Sequence, residues 1–483
     1  MADPVFSIGQ GSLLIAGYAA FSFGLTWLFA RRYRNTKSQF LVADRSLGGW
    51  ESAFSIAATW IWAPALFISA QKAHDQGVVG LFWFTVPNIL CLIIFASFAK
   101  MIRKVMPEGF TLSDYIRSRY SGRVQVLYLI QLGGLAVCSF AVQLLAGGKV
   151  ISSLTGIPFV WVTISLAAIA LAYSAFSGLK ASVVTDYAQM ILIFAVGFVL
   201  VPWVVSRAGG IGAVIEGLGG STGKHVNLFN ADGRDVFYTF GIPVTIGLLA
   251  GPFGDQSFWQ RAFATEEKAV RGAFVKGALI FGIVPLIMSL LGFVAAGKGW
   301  QVADSQLVNL EAVSRLLPTW TLIPFVYMLM SGLVSTLDSN LCAVASMAGH
   351  DLLNRNKTPA SEPEGDRRVV RYSRWSMFAL AIAAIAIANI PDLRILYLFL
   401  FYGTLRASTL LPTVMTLLGV KLAERGVFWG IVVSILVGLP VFAYGKFEKI
   451  TWLVVAGALG TVIASGLIAV LVTRWKASRI EDG

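Results

Sequence analysis

Charge is scarce in this chain. Asp, Glu, Lys and Arg make up 13% of its 483 residues, where a soluble domain carries roughly 25%. Cysteine and histidine are scarcer still, with three of each. Cys91, Cys138 and Cys342 fall far apart inside apolar segments, which leaves neither a disulfide framework nor a metal spacing. They read as small packing residues. His74, His225 and His350 are equally dispersed. No zinc, haem or nucleophile–base set emerges, so the expectation is a chain that is not an enzyme and holds no organic cofactor. No long polar stretch leaves room for a large soluble domain.

What is present is apolar sequence, 57% of the chain. A bilayer-spanning helix needs about 20 mostly apolar residues. Thirteen segments approach that length, near 11–30, 50–70, 77–101, 124–152, 157–176, 181–206, 236–260, 268–297, 319–347, 373–391, 394–418, 427–445 and 450–473. The expected fold class is an all-α membrane protein of 13 transmembrane helices embedded in a lipid bilayer. The leader MADPVFSIGQG has no positive charge and is followed by Arg31, Arg32 and Arg34, so the first segment does not read as a signal peptide.

A net charge of +13 raises the thought of nucleic acid, but its distribution argues against that partner. With the N-terminus outside and the loops alternating, 26 of the 38 basic residues fall inside. They include Arg31, Arg32, Arg34, Arg45, Arg103, Arg117, Arg261, Arg355, Lys357, Arg367, Lys421 and Arg474. That asymmetry is the positive-inside rule, and it predicts a cytoplasmic C-terminus and a plasma (cytoplasmic) membrane location.

Two loops are longer than the rest. The Gly-rich 207–235 is expected outside, and the charged 350–372 inside as a flexible linker. Two spans are interrupted. ESAFSIAATWIWAPALFISA carries Pro64 at its centre, which removes a backbone donor and crowds the carbonyl of Trp60. FGIPVTIGLLAGPFGDQSFWQR carries Gly251, Pro252 and Gly254, followed by Asp255, Gln256 and Gln260. Two broken spans five apart in order are the pattern of a five-plus-five inverted repeat around a central site. The chain then divides as a single unit, 1–483, with a leading helix at 11–30 and repeats at 50–206 and 236–418. Two trailing helices at 427–473 and a cytoplasmic tail at 474–483 complete it.

The sharpest local signal is MSGLVSTLDSNLCAVASMAGHDL at 330–352. Gly332, Ser335, Thr336 and Ser339 stand at i, i+3, i+4 and i+7, one narrow polar stripe on an apolar helix, with Asp338 beside it. Two hydroxyls and freed carbonyls suit a hard cation. The plainer alternative is that they bond to their own helix or glue two helices together.

The string STLDS followed by HDL, FSGLKASVVTDYAQ at 176–189, GDQSFWQRAFA at 254–264 and RSLGGW at 45–50 resemble the solute:sodium symporter family. Their order and spacing cover nearly the whole chain. The resemblance implies a LeuT-type core with one helix before it and two after, and symport of a small solute with a cation, most simply sodium, by alternating access. By position it implies a sodium site from the carbonyls of Ala58 and Ile61, the carbonyl of Gly332, and the hydroxyls of Ser335 and Thr336. A second cation position falls on Asp186, Ser335, Asp338 and Ser339. Asp186 has a bland alternative as a cytoplasmic-edge carboxylate near Lys180.

Proline-type carriers have an aspartate where this chain has Trp60. The stretch ATWIWAPALFISAQKAHDQGVVGLFWF and LYLFLFYGTLRASTLLP at 396–412 look most like the urea-carrier branch. Trp60, Trp62, Gln71, Phe82, Trp83, Phe253, Gln256 and Tyr402 are then solute-lining candidates, against the alternative of helix packing or interfacial anchoring. Arg406 lies mid-span where that branch is uncharged. A guanidinium there costs about 2.5–3.5 kcal/mol on translocon scales, and its fork suits a carboxylate. The solute is thus expected to be urea-like or, through Arg406, a small organic anion, unless Arg406 pairs with an internal acid. Proton coupling, a channel or a membrane sensor are the other readings left open.

Overall fold

The computed structural model describes residues 4–30, 36–353 and 362–481. Arg31, Arg32, Arg34, Arg355 and Lys357, counted above as inside charges, lie outside the described residues. The described chain is helical nearly throughout. Eleven of its helices are long and apolar enough to cross a membrane. Leu13, Ile130 and Leu436 are each about two-thirds exposed or more, and such a surface suits lipid rather than water. Polar side chains lie inside instead, including Asp186, Arg261, Asp338 and Arg406.

The helices that make up the spans are, in chain order, α1 Ile8–Ala30, α2 Gly49–Trp60, α3 Ala63–Val105, α4 Gly122–Thr155 and α5 Phe159–Arg207. Next come α6 Ile242–Leu249, α7 Gln256–Ala264, α8 Val270–Gly297, α9 Leu322–Ser346 and α10 Glu362–Ala388. The last are α11 Ile395–Leu417, α12 Glu424–Val433, which runs on to Phe447, and α13 Thr451–Glu481. Two expected spans, 50–70 and 236–260, do not form continuous membrane-length helices. Their breaks divide them into pieces, α2 with the start of α3, and α6 with α7.

The first break follows from Pro64. α2 ends at Trp60, Ile61 and Trp62 are non-helical, and α3 restarts with Pro64 in its first turn, where a missing N–H costs nothing. The freed N–H of Ala63 donates to Gln143 Oε1 at 2.7 Å. The second break is the turn 250–254. Asp255 then caps α7 by accepting Ser257 N–H at 2.9 Å; such caps are worth about 1 kcal/mol.

Two glycines set corners in long helices. Gly178, at φ 65°, bends α5, and a Cβ there would lie 2.3 Å from the carbonyl oxygen of Phe40. Gly77, at φ 55°, bends α3, where a Cβ would lie 2.3 Å from the carbonyl oxygen of Leu218. The Gly-rich 207–235 segment is therefore docked at this corner, with Val78 N–H on Leu218 O at 2.9 Å and Ser221 N–H on His74 O at 2.6 Å. Around the breaks, α8 packs along α2 and α3, and α9 packs along α5.

Candidate functional site

The polar stripe of α9 faces the first break. Gly332 has no side chain, and a Cβ there would come within 3.1 Å of the Ile61 carbonyl oxygen. Thr336 Oγ1 donates to the Thr59 carbonyl at 3.3 Å, or back to Gly332 O at 3.2 Å. Ile61 N–H is held by the carbonyls of Ala57 at 2.8 Å and Ala58 at 3.2 Å. Ala58, Ile61, Gly332 and Thr336 thus lie along one seam between α2 and α9.

Ser335, next to Thr336 on the same stripe, donates to Asp186 Oδ1. Asp186 Oδ2 accepts from Ser55 Oγ at 2.5 Å and from Arg261 Nη2 at 3.1 Å. Arg261 also donates through Nε to Ser55 Oγ at 2.9 Å, through Nη2 to Ser339 Oγ at 2.8 Å and through Nη1 to Ser257 O at 3.2 Å. Both partners of this ion pair are fully buried. Asp186 is therefore a buried, ion-paired carboxylate rather than an exposed one.

The loop position given above to Arg261 is also corrected. α7 runs inside the protein, and Arg261 is held there by an acid and three serines. Of the four second-cation residues, Asp186 and Ser339 bind this guanidinium and Ser335 joins them through Asp186. Asp338 stands apart, with Oδ1 at 2.6 Å from Ser174 Oγ and Oδ2 buried without a hydrogen bond. Ser55, Ser174, Arg261 and Gln143 escaped the sequence reading. Ser55 and Thr59, one turn apart on α2, were a signal for Ser55; nothing local marks the other three.

Of the solute-lining candidates, four converge. Arg406 Nη2 donates to Asp255 Oδ2 at 3.1 Å and to the Tyr402 hydroxyl. Its Cζ stands 3.6 Å from the Tyr402 ring centre, 5.4 Å from Trp62 and 5.8 Å from Trp60. The two indoles stack at 5.8 Å. Gly251 makes the space: a Cβ would meet Trp60 Cη2 at 2.5 Å and Arg406 Nη1 at 3.2 Å. Arg406 thus has the internal acid partner, Asp255.

The other five, Gln71, Phe82, Trp83, Phe253 and Gln256, lie elsewhere. Gln71 donates to Ser305 Oγ at 3.0 Å. Trp83 packs on Phe82 and Phe237. Phe253 packs on Phe95 and Phe98. Gln256 is spent on structure, accepting Leu112 N–H at 3.1 Å and donating to Phe110 O and Ser346 Oγ. Its amide ties the 110–112 segment to α9.

Broken helices, a hydroxyl-bearing helix against one break and buried charge in the spans define a multi-pass membrane transporter. The fold is similar to a solved Na+-coupled sialic acid symporter, with a TM-score of 0.74 at 16% identity over 95% of this chain and 97% of that one. It is also similar to Mhp1, a nucleobase-cation-symport-1 family transporter, with a TM-score of 0.60 at 14% identity over 91% and 95%.

The sequence model of the sodium:solute symporter family matches residues 40–434, and the chain belongs to that family. Its relatives include the urea-proton symporter DUR3 of Oryza sativa subsp. japonica, 23% identical over 97% of this chain and 70% of the relative. Another is the sodium/pantothenate symporter of Escherichia coli K12, 25% identical over 87% and 88%. These proteins are transporters, not enzymes.

Proposed function

We propose that the protein is a sodium-coupled secondary symporter that carries a small polar solute across the plasma membrane by alternating access. One observation carries this reading: the Gly332–Thr336 stripe of α9 is seated against the open backbone at Ile61. Sodium, as a transported substrate, would take the carbonyls of Ala58, Ile61 and Gly332 and the hydroxyls of Ser335 and Thr336. Bridging α2 and α9, it would favour the state that accepts solute, and each ligand would raise the other's affinity by the same factor. The membrane potential adds about 2.3 kcal/mol per charge per 100 mV.

In this reading the chain crosses the bilayer thirteen times, eleven times as continuous helices and twice as broken ones. Residues 50–206 and 236–418 form two inverted repeats of one transporter unit. The basic bias places the N-terminus outside and the C-terminus in the cytoplasm. Trp60, Trp62, Tyr402 and Arg406 line the solute site between the breaks. The test is uptake into proteoliposomes under an imposed sodium gradient. Accumulation that ignores the gradient would sink the reading.

A proton-coupled variant rests on a different observation. Ser174 Oγ lies 2.6 Å from both Ala170 O and Asp338 Oδ1. A hydroxyl has one proton to give, so both contacts are hydrogen bonds only when Asp338 supplies the second. Uptake driven by a pH gradient without sodium, and lost in Asp338→Asn, would favour this variant.

A further inference from the structure

The cluster between the breaks holds a matched pair of opposite charges beside polar atoms that lack hydrogen-bond partners. Arg406 is 2% exposed, and its Nε is buried without a hydrogen-bond partner. Trp62 Nε1 and Asn88 Oδ1 are also buried without one. Asn88 belongs to the same cluster, because its carbonyl accepts Trp60 Nε1 at 3.3 Å. Asp255 is anchored through Oδ1 at the start of α7, so its Oδ2 is the oxygen that reaches Arg406 and, at 3.4 Å, the Tyr402 hydroxyl. Buried polar atoms are ordinarily paired. Two orphans at the ion pair, Arg406 Nε and Trp62 Nε1, with a third on Asn88 behind Trp60, mark a place where a guest completes the bonding.

The charge count then restricts the guest. The cluster is neutral overall, one guanidinium against one carboxylate. A guest anion on Arg406 would leave the mostly buried Asp255 without a counter-charge, and a guest cation on Asp255 would do the same to Arg406. Removing one side of a buried pair is costly because the other charge stays behind. A guest that carries both signs compensates both charges. Its anionic end suits the guanidinium fork, and its cationic end suits both Asp255 and the indole faces.

We propose that the transported solute is a small zwitterion, with its carboxylate on Arg406 and its cationic end on Asp255 against Trp60 and Trp62. This rests on the symporter reading above and narrows its solute. Asp255 becomes a specificity-determining residue, and Arg406 alone no longer argues for a plain organic anion.

The test uses the full chain in lipid nanodiscs. Equilibrium binding is measured for glycine, β-alanine and γ-aminobutyrate. The comparison ligands are acetate, propionate and butyrate, the matching alkylamines, and urea, all with and without sodium. At least one zwitterion is expected to bind ten times more tightly than its matched anion, its matched amine and urea. Arg406→Gln should weaken that zwitterion at least tenfold and shift preference toward the amine. Asp255→Asn should weaken it similarly and shift preference toward the carboxylate.

Should either single variant fail to fold, the neutral pair Arg406→Gln/Asp255→Asn retains the packing, and it should no longer distinguish the zwitterion from urea. Tighter binding of urea or of a plain anion than of every zwitterion would overturn the proposal. So would a preference that neither variant nor the neutral pair moves. Sodium-induced tryptophan fluorescence without solute separates the two readings. If that signal persists while every zwitterion fails, the solute class falls and the symporter stands. If zwitterions bind as expected but sodium changes neither signal nor affinity, the coupling falls instead.

Discussion

Arg261 and Asp186 form an ion pair of 3.1 Å between two side chains with no solvent exposure, joining α7 to α5. A buried pair is weak evidence of stability, but breaking one is expensive, since the abandoned charge has no water. Arg261→Met should therefore lower stability by about 3–5 kcal/mol, visible as a fall in melting temperature in detergent. Arg261→Lys should not rescue it fully, because an ammonium cannot serve Ser55, Ser339 and Asp186 with one planar fork. A melting curve unchanged in Arg261→Met would contradict the described geometry.

Replacing Ser335 and Thr336 by alanine removes the two hydroxyls proposed for sodium, one on Asp186 and one on the seam, and keeps the helix. The double variant should still fold. Its apparent sodium affinity, read from uptake against external sodium, should weaken at least tenfold, about 1.4 kcal/mol. Loss of uptake with an unaltered sodium dependence would instead assign these hydroxyls to helix packing.

Gln143 closes the first break by accepting Ala63 N–H at 2.7 Å while donating to Ser139 O at 3.0 Å. Gln143→Leu has similar bulk and no acceptor. It leaves one buried backbone donor unpaired, at about 1–3 kcal/mol. The expected result is a lower melting temperature with transport weakened in proportion to folded protein. Gln143→Glu restores the acceptor and should recover part of the loss; no recovery would mean the amide matters for another reason.

Gly178 combines a positive φ with a carbonyl where its side chain would be. Gly178→Ala should cost more than the roughly 1–2 kcal/mol of a left-handed non-glycine residue, because Phe40 must also move. Gly24, with open space around it, is the control position: Gly24→Ala should be neutral or slightly stabilising by helix propensity. Equal melting temperatures for the two variants would refute the corner.

Much of the membrane architecture was legible because apolar run length and proline act locally. Pro64 marks its own break from sequence. The Gly332–Ser339 stripe is legible for the same reason, since helical spacing places it on one face. Charge pairing across the fold was not legible. Arg261 reads as a loop charge when only its neighbours in sequence are considered, and its partners come from α2, α5 and α9. Gln71, Trp83, Phe253 and Gln256 show the converse limit. Each lies near a break or an apolar run, yet side-chain direction sends each to a different neighbour.

The corner at Gly178 has a mechanical meaning. Two membrane-length segments meet there through a single residue, with the Phe40 backbone wedged against it. A linker of several residues would absorb a tilt of either arm. A one-residue elbow is expected to transmit it, carrying Asp186 on one arm and Tyr173 on the other together. Spin labels on the two arms should therefore change their distances to α9 together, within the same transition.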